Sequence, residues 1–99
     1  LEVADLEFNL DTLEVRRQGK LLQLNPTALK ILQALMEASP AVVPRMDLET
    51  RVWGEELPDS DSLRVHIHGL RAAVDKPFDK HLIQTRHGIG YRIADPDAS

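Results

Sequence analysis

The sequence predicts an α+β domain with antiparallel strands first, three helices in the middle and a β-hairpin at the end. Two patterns predict this order. Apolar and polar residues alternate in the first quarter of the chain and again near its end, as in half-buried strands. Between these regions, apolar residues recur at helical spacing. The chain has 99 residues, which suits one domain, and we predict a single domain over residues 1–95 followed by a flexible tail over 96–99.

Three short strands are predicted in the first quarter, arranged as an antiparallel meander. The alternating apolar positions are Leu6, Phe8 and Leu10, then Leu13 and Val15, then Leu22 and Leu24. The segment Gln18-Gly19-Lys20 is typical of a hairpin turn, because glycine readily adopts the positive φ that such turns need.

The first helix is predicted to begin at Pro26, behind Asn25 as N-cap. Apolar side chains at helical spacing form its buried stripe, namely Ala28, Leu29, Leu32, Leu35 and Met36. The helix is predicted to end at Ser39-Pro40, because the residue before a proline avoids the helical conformation. A short edge strand is predicted over residues 41–43.

Two further helices are predicted, over about 45–53 and about 60–75, joined by a loop at 55–60. Gly54 is placed to end the first of them, and Asp59, Ser60 or Asp61 to cap the second. The second has one apolar face and one basic face, formed by Leu63, Ile67, Leu70 and Val74 and by Arg64, His68 and Arg71 respectively. It is therefore predicted to bury one side and expose a basic stripe.

The last predicted element is a β-hairpin with strands at 82–85 and 91–94 and a glycine-bearing tip at 86–90. Two helices joined by a short loop and followed by such a hairpin have the layout of a winged helix-turn-helix. The major groove of DNA is about 12 Å wide and admits one α-helix, whose arginines bind guanine edges or phosphates. A hairpin beside the helix reaches the minor groove, where narrow A·T tracts attract arginine. The layout therefore predicts DNA binding.

Charge is distributed unevenly along the chain. The formal net charge is −4, which taken alone disfavours a nucleic-acid partner. Residues 1–59 carry six Lys and Arg against eleven Asp and Glu, whereas residues 60–93 carry six against three and all four histidines. The second stretch is therefore the candidate surface for a polyanion.

The sequence resembles the winged-helix effector domain of OmpR/PhoB-type response regulators of bacterial two-component systems, from about Leu6 to Ile93. The segments that carry the resemblance are Asn25–Leu32, Arg45 with Leu48 and Val52-Trp53-Gly54, Val65-His66-Ile67 with Leu70-Arg71, and Ile83-Gln84-Thr85 leading into Gly88–Arg92. The resemblance implies an N-terminal four-stranded antiparallel sheet, a three-helix bundle and a C-terminal wing. It also implies sequence-specific binding of double-stranded DNA, as head-to-tail pairs on direct repeats.

The resemblance also implies which residues contact DNA. The exposed positions of the recognition helix are Arg64, His68, Gly69 and Arg71, the phosphate-contacting positions are Arg45 and Trp53, and the wing positions are Arg86, His87, Gly88 and Tyr91. To these we add His66, which lies nearer the apolar stripe and is expected either to pack internally or to face a phosphate.

The resemblance further implies protein partners. Loop 55–60 is expected to meet RNA polymerase, and an N-terminal receiver, absent from this chain, is expected to control dimerisation through a phosphorelay. Because the chain starts at Leu1, we expect it to be part of a longer protein. We expect a cytoplasmic location and no membrane segment, since no apolar run approaches the roughly 18–20 residues that cross a bilayer and no leader is present.

This chain departs from the family pattern at positions that matter for DNA. His68 and Gly69 stand where a basic residue is usual, and His87 stands where the wing often carries arginine. With less fixed positive charge, we expect weak non-specific binding and a shallow salt dependence, equal to about three to five phosphate contacts. We also expect pH-sensitive binding, because histidine becomes cationic within the physiological pH range.

No pattern in the sequence indicates an enzyme or a metal site. Cysteine is absent, which excludes disulfides and thiolate sites, and no Ser-His-Asp order, phosphate-binding loop or dinucleotide fingerprint occurs. His66 and His68 are two residues apart on a helix, so they point about 200° from each other and cannot share a metal. We predict no catalytic residue, no metal and no cofactor.

Two alternatives stay open at this point. The same fold with its acidic first half is suited to a protein-interaction module with weak DNA binding, which salt-dependent retention on duplex DNA would separate from a DNA-binding domain. The same fold also serves as the DNA-binding domain of membrane-anchored one-component activators, from which only the flanking sequence would separate this chain.

Overall fold

The structure is a computed structural model that describes residues 1–56 and 61–97. The strands are β1 (Glu2–Val3), β2 (Leu6–Asn9), β3 (Glu14–Arg17), β4 (Lys20–Leu22), β5 (Val43–Pro44), β6 (Ile83–Arg86) and β7 (Gly90–Ile93). The helices are α1 (Pro26–Ala38), α2 (Arg45–Trp53) and α3 (Ser62–Val74). The predicted order of strands, three helices and terminal hairpin is confirmed, and no helix within the two described ranges is long and apolar enough to span a membrane.

The N-terminal sheet has four antiparallel strands in the order β1-β2-β3-β4, as the family resemblance implies. Strand β1 has two residues and is too short for the alternation pattern to reveal it. The predicted hairpin turn is confirmed, with Gln18 and Gly19 both at positive φ and Arg17 paired with Lys20.

The prediction that Leu10 and Leu13 belong to strands is wrong. Residues 10–13 form a turn, Leu10 and Leu13 are exposed, and Leu13 has a φ of 60°. The side chain of Asn9 holds this turn, since its Oδ1 accepts hydrogen bonds from the backbone N–H groups of Asp11 and Thr12 at 2.9 and 3.2 Å. The alternation of apolar residues therefore continues through a turn that an asparagine side chain stabilises.

The predicted helix ends agree closely with the structure. Asn25 caps α1, with its Oδ1 accepting the N–H of Ala28 at 2.8 Å, and the helix ends at Ala38, just before Ser39-Pro40. Helix α2 ends at Trp53, and the N–H of the following Gly54 donates to the carbonyl of Thr50. Asp61 is the N-cap residue of α3 and makes no side-chain capping hydrogen bond. The other two predicted caps, at positions 59 and 60, lie outside the described residues.

The core is formed where the three helices meet both sheets. Helix α3 buries the predicted face, with Leu63, Ile67, Leu70 and Val74 all at most 1% exposed. Helix α1 buries one side against the other two helices, and Phe8 and Val15 close the core from the N-terminal sheet. The opposite face of α3 is left in solvent.

The terminal hairpin belongs to a three-stranded sheet in the order β5-β7-β6. The edge strand predicted at 41–43 lies two residues later, at Val43–Pro44, and pairs with Tyr91 and Gly90 of β7. This pairing ties the hairpin to the segment that leads into α2. The hairpin is therefore held near its tip, at Gly90 and Tyr91, rather than only at its base.

One buried ion pair joins the N-terminal sheet, α3 and the hairpin. Arg17 of β3 is fully buried, and its Nη1 donates to the carbonyl of Val74 at 2.5 Å and to Oδ1 of Asp75 at 3.2 Å. The Asp75 carboxylate also accepts the N–H groups of Leu82 and Ile83, at 2.9 and 3.0 Å. These contacts fix the end of α3 against the start of the hairpin.

Further contacts satisfy the remaining donors of Arg17. Its Nη2 donates to the carbonyl of Lys80 at 2.6 Å, its Nε donates to Asp5 at 2.9 Å, and its guanidinium carbon lies 4.6 Å from the ring centroid of Phe78. Burial acts to raise the pKa of Asp5, but the hydrogen bonds from Gln18 and Arg17 outweigh it and hold that pKa below its usual value. The guanidinium is therefore compensated on every side.

We predict that Arg17→Ala lowers the free energy of unfolding by about 3–5 kcal/mol, because it leaves the buried Asp75 carboxylate without its cation. Urea denaturation measures the change. The matched control is Arg16→Ala on the same strand, whose side chain is exposed and which we expect to change stability by about 0.5 kcal/mol at most. Equal effects of the two substitutions would contradict a structural role for Arg17.

Candidate nucleic-acid interface

A groove of about 470 Å³ lies between the exposed face of α3 and the terminal hairpin. Its lining residues come from α2, α3 and the hairpin, namely Arg45, Arg64, Ile67, His68, Arg71, Thr85, Arg86, His87, Gly88, Ile89, Gly90 and Tyr91. Eight of the eleven residues predicted to contact DNA line this groove; the other three, Trp53, His66 and Gly69, do not. The fold thus brings together positions that are up to 46 residues apart in sequence.

The groove is cationic although the chain as a whole is acidic. Four arginines and two histidines line it, and none of the described residues that line it is acidic. The carboxylate of Glu49 pairs with Arg45 at 3.0 Å but does not line the groove. Fixed positive charge in a concave surface attracts polyanions more strongly than net charge suggests.

Arg64 and His68 lie one turn apart on the exposed face of α3 and are both exposed. Among the described residues, the guanidinium of Arg64 has no hydrogen-bond or ion-pair partner. Its five donors are therefore available to a ligand in the groove. On α3, Arg64 is therefore the arginine whose donors are open to bidentate contact with an anionic or polar ligand.

Arg71 is half-buried and joins α3 to the hairpin. Its Nη2 donates to the hydroxyl oxygen of Thr85, and its Nε donates to the carbonyl of Ile83 at 3.4 Å. Both partners belong to β6, the strand of the hairpin that lies beside α3. Arg71 thus lines the groove and also fixes its width.

The hairpin tip supplies the opposite wall of the groove. Arg86, His87 and Ile89 are exposed there, and Ile89 is 62% exposed. The backbone N–H of Arg45 donates to the carbonyl of Ile89 at 3.1 Å, which joins the start of α2 to this tip. The side chain of Arg45 also pairs with Glu49 at 3.0 Å.

The two glycines of the hairpin serve different purposes. Gly88 has a φ of 77° and makes the turn, as its position predicts. Gly90 has no such φ, but a Cβ placed on it would clash with the carbonyl oxygen of Val43 and lie 2.9 Å from Cα of Pro44. The backbone of β5 approaches β7 so closely that only glycine fits at this position.

Trp53 and His66 pack against each other and are not among the residues that line the groove. Their ring centroids are 5.7 Å apart in an edge-to-face arrangement, and the Nδ1 of His66 donates to the carbonyl of Ser62 at 2.8 Å. Of the two expectations for His66, internal packing is the one that describes this geometry. The contact attaches the end of α2 to the first turns of α3.

Sequence reasoning did not select three residues of this surface. Thr85 and Ile89 line the groove, and Val65 on α3 is 63% exposed. Val65 lies within about 60° of His68 on a helical projection, so the helical spacing places it on the exposed face. An apolar side chain at such a position suits contact with a thymine methyl group.

Two other expectations concern the loop at 55–60 and metal binding. In the loop predicted at 55–60, Glu55 and Glu56 are exposed, and residues 57–60 lie outside the described part of the chain. Within residues 1–56 and 61–97, no group of three or more His, Cys, Asp or Glu side chains is arranged to hold a metal ion.

Comparison with known proteins matches residues 19–93 to the family described as transcriptional regulatory protein, C terminal. The chain is 34% identical over 90 residues to the uncharacterized transcriptional regulatory protein YkoG of Bacillus subtilis, strain 168, which covers 90% of this chain and 40% of that protein. It is 31% identical over 97 residues to the transcriptional regulatory protein CusR of Escherichia coli K12, which covers 97% of this chain and 43% of CusR. The chain spans less than half the length of these two relatives.

The fold is also similar to that of a solved DNA-binding domain. The crystal structure of the DNA-binding domain of CpxR from E. coli superimposes with a TM-score of 0.82 at 28% sequence identity. The match covers 96% of this chain and 95% of that domain. The winged-helix architecture predicted from the element order is confirmed.

We predict that Gly90→Ala lowers the free energy of unfolding by about 1–3 kcal/mol, because the added methyl group forces β5 and β7 apart. The matched control is Gly69→Ala on the exposed face of α3, where nothing lies within 4 Å of an added Cβ. That substitution should stabilise the domain by about 0.5–1 kcal/mol through helix propensity. Chemical denaturation of both variants measures the difference, and a neutral Gly90→Ala would refute the close approach.

Proposed function

The chain belongs to the OmpR/PhoB-type family of C-terminal effector domains of transcriptional regulators, and we propose that it binds duplex DNA sequence-specifically. In this proposal α3 enters the major groove and the hairpin acts as a wing at the adjacent minor groove. The observation that carries it is the groove between α3 and the hairpin, lined by four arginines, two histidines and no described carboxylate. The proposal assigns the domain no catalytic role.

The contacts of each arginine suggest a division of roles. Arg64, without a described partner, is the principal reader of base edges, with His68 beside it. Arg71 contributes a donor to the groove while its contacts to Ile83 and Thr85 hold the wing in place. Arg86 is exposed at the wing tip and is assigned to the minor groove, where its charge is favoured in narrow A·T tracts.

The other predicted residues are assigned to the sugar-phosphate backbone or to further contacts in the groove. Arg45, Trp53 and Tyr91 are proposed to fix the register of the domain on the duplex. His68 and His87 are exposed in the groove, where their ring nitrogens are proposed to hydrogen-bond to DNA.

Family membership also suggests how the domain is arranged on DNA, which proteins it contacts and where it acts. We propose that the domain binds direct repeats as head-to-tail pairs, contacts RNA polymerase through loop 55–60 and acts in the cytoplasm. We also propose an N-terminal receiver that controls it by phosphorylation. The fraction of each relative that this chain covers, 40% of YkoG and 43% of CusR, leaves room for such a domain in those proteins.

Selection of bound sequences from a random duplex pool tests the proposed function. We expect one enriched motif, and we expect Arg64→Ala to weaken binding to it by about 1–3 kcal/mol and to relax the preference at one base pair. The matched control is Arg16→Ala on the N-terminal sheet, which should bind as the wild type does. Failure of the wild-type domain to enrich any motif would contradict sequence-specific binding and favour a protein-interaction module.

A double-mutant cycle tests the bracing role of Arg71. Arg71→Ala should weaken specific binding by about 1–3 kcal/mol, and Thr85→Val should also weaken it because the wing loses its tie to α3. If the hydrogen bond between the two side chains carries part of the effect, the double variant should be non-additive by about 0.5 kcal/mol or more. Strict additivity in measured DNA affinities would instead mean that Arg71 acts only on DNA.

A further inference from the structure

A second cleft, of about 330 Å³, lies along the C-terminal half of α3 and shares two lining residues with the groove. His68 and Arg71 line both cavities, whereas Lys76 and His81 line the second cleft and not the groove. The concave surface on this side of the domain therefore extends past Arg71 to the loop that joins α3 to β6.

The charges of this cleft favour an anion. Lys76 and His81 are exposed, and neither side chain has a hydrogen-bond or ion-pair partner among the residues that the structure describes. The one carboxylate in the cleft, that of Asp75, is buried and already accepts Arg17 and two backbone N–H groups. The other cation of the same loop, Lys80, is engaged by Asp95 and Asp97 at 3.9 and 2.5 Å.

The position of the cleft fits a phosphate of the DNA backbone. Helix α3 has 13 residues and is about 20 Å long, which exceeds the roughly 12 Å width of the major groove. When such a helix crosses the groove, one of its ends lies over a phosphate chain. The carbonyl groups at a helix C-terminus repel phosphate, and a cation next to them reverses that effect. Lys76 follows α3 by two residues.

We propose that the cleft at Lys76 and His81 is a second phosphate-binding site, which holds the sugar-phosphate backbone of the same duplex outside the segment that contacts the groove. The proposal rests on the proposed function and extends its footprint along the DNA. Lys76 supplies the positive charge, and His81 and Arg71 line the cleft beside it.

Salt-dependent binding of two lysine variants tests this site. On the duplex selected by the wild-type domain, Lys76→Ala should make the slope of log K against log salt concentration smaller by about 0.9, the value for one lost phosphate contact. Lys80→Ala is the matched control, because it removes an equal charge from the same loop that is already paired. Its slope should equal that of the wild type. Thermal unfolding of both variants checks that they remain folded.

Neutral methylphosphonate substitutions, made one at a time in the duplex, locate the contact. At one phosphate, neutralisation should weaken binding by the wild-type domain and leave the affinity of the Lys76→Ala variant unchanged. The second site would be overturned if Lys76→Ala had the same salt slope as the wild-type domain, or if both lysine variants lowered the slope equally. Either result would leave the proposed function intact. Failure of the wild-type domain to bind any duplex would overturn both proposals.

Discussion

The buried contact between Arg17 and Asp75 is the constraint on which the rest of the molecule depends. It joins three parts that come from distant stretches of the chain: the third strand, the end of α3 and the first residues of the hairpin. A buried ion pair adds little net stability compared with a well-packed apolar core, but removing one partner is costly. We infer that its main effect is geometric. By holding the amides of Leu82 and Ile83 against the C-terminus of α3, it sets the angle at which the wing leaves the helix and hence the shape of the groove.

The local elements were predictable from the sequence because short-range chemistry specifies them. Asn25 with Pro26 begins α1, Gly54 ends α2, and four apolar residues at helical spacing define the buried face of α3. Most of the candidate site was also predictable, since a basic stripe and a glycine-bearing hairpin tip mark its two walls. The family resemblance added Arg45 and Tyr91, which no local pattern indicates.

The remaining features depend on contacts between distant residues. Arg17 is in phase with Val15 on β3, which is a signal for burial, but only the fold shows that Asp75 lies opposite it. Gly90 resembles a turn residue in the sequence, but what constrains it is the backbone of Val43 and Pro44, 47 and 46 residues earlier. Leu13 fits the alternation of apolar residues, but the strand has already given way to a turn that the side chain of Asn9 stabilises. The net charge of −4 likewise does not predict a groove in which none of the described lining residues is acidic.

Amide chemical-shift mapping of the domain during titration with its selected duplex tests most directly whether this groove is where DNA binds. The account predicts saturable shifts at the backbone amides of residues 64–72 on α3 and 85–91 on the wing, with the N-terminal strands over 2–16 unaffected. Shifts centred on the N-terminal sheet, with α3 and the wing unchanged, would contradict it.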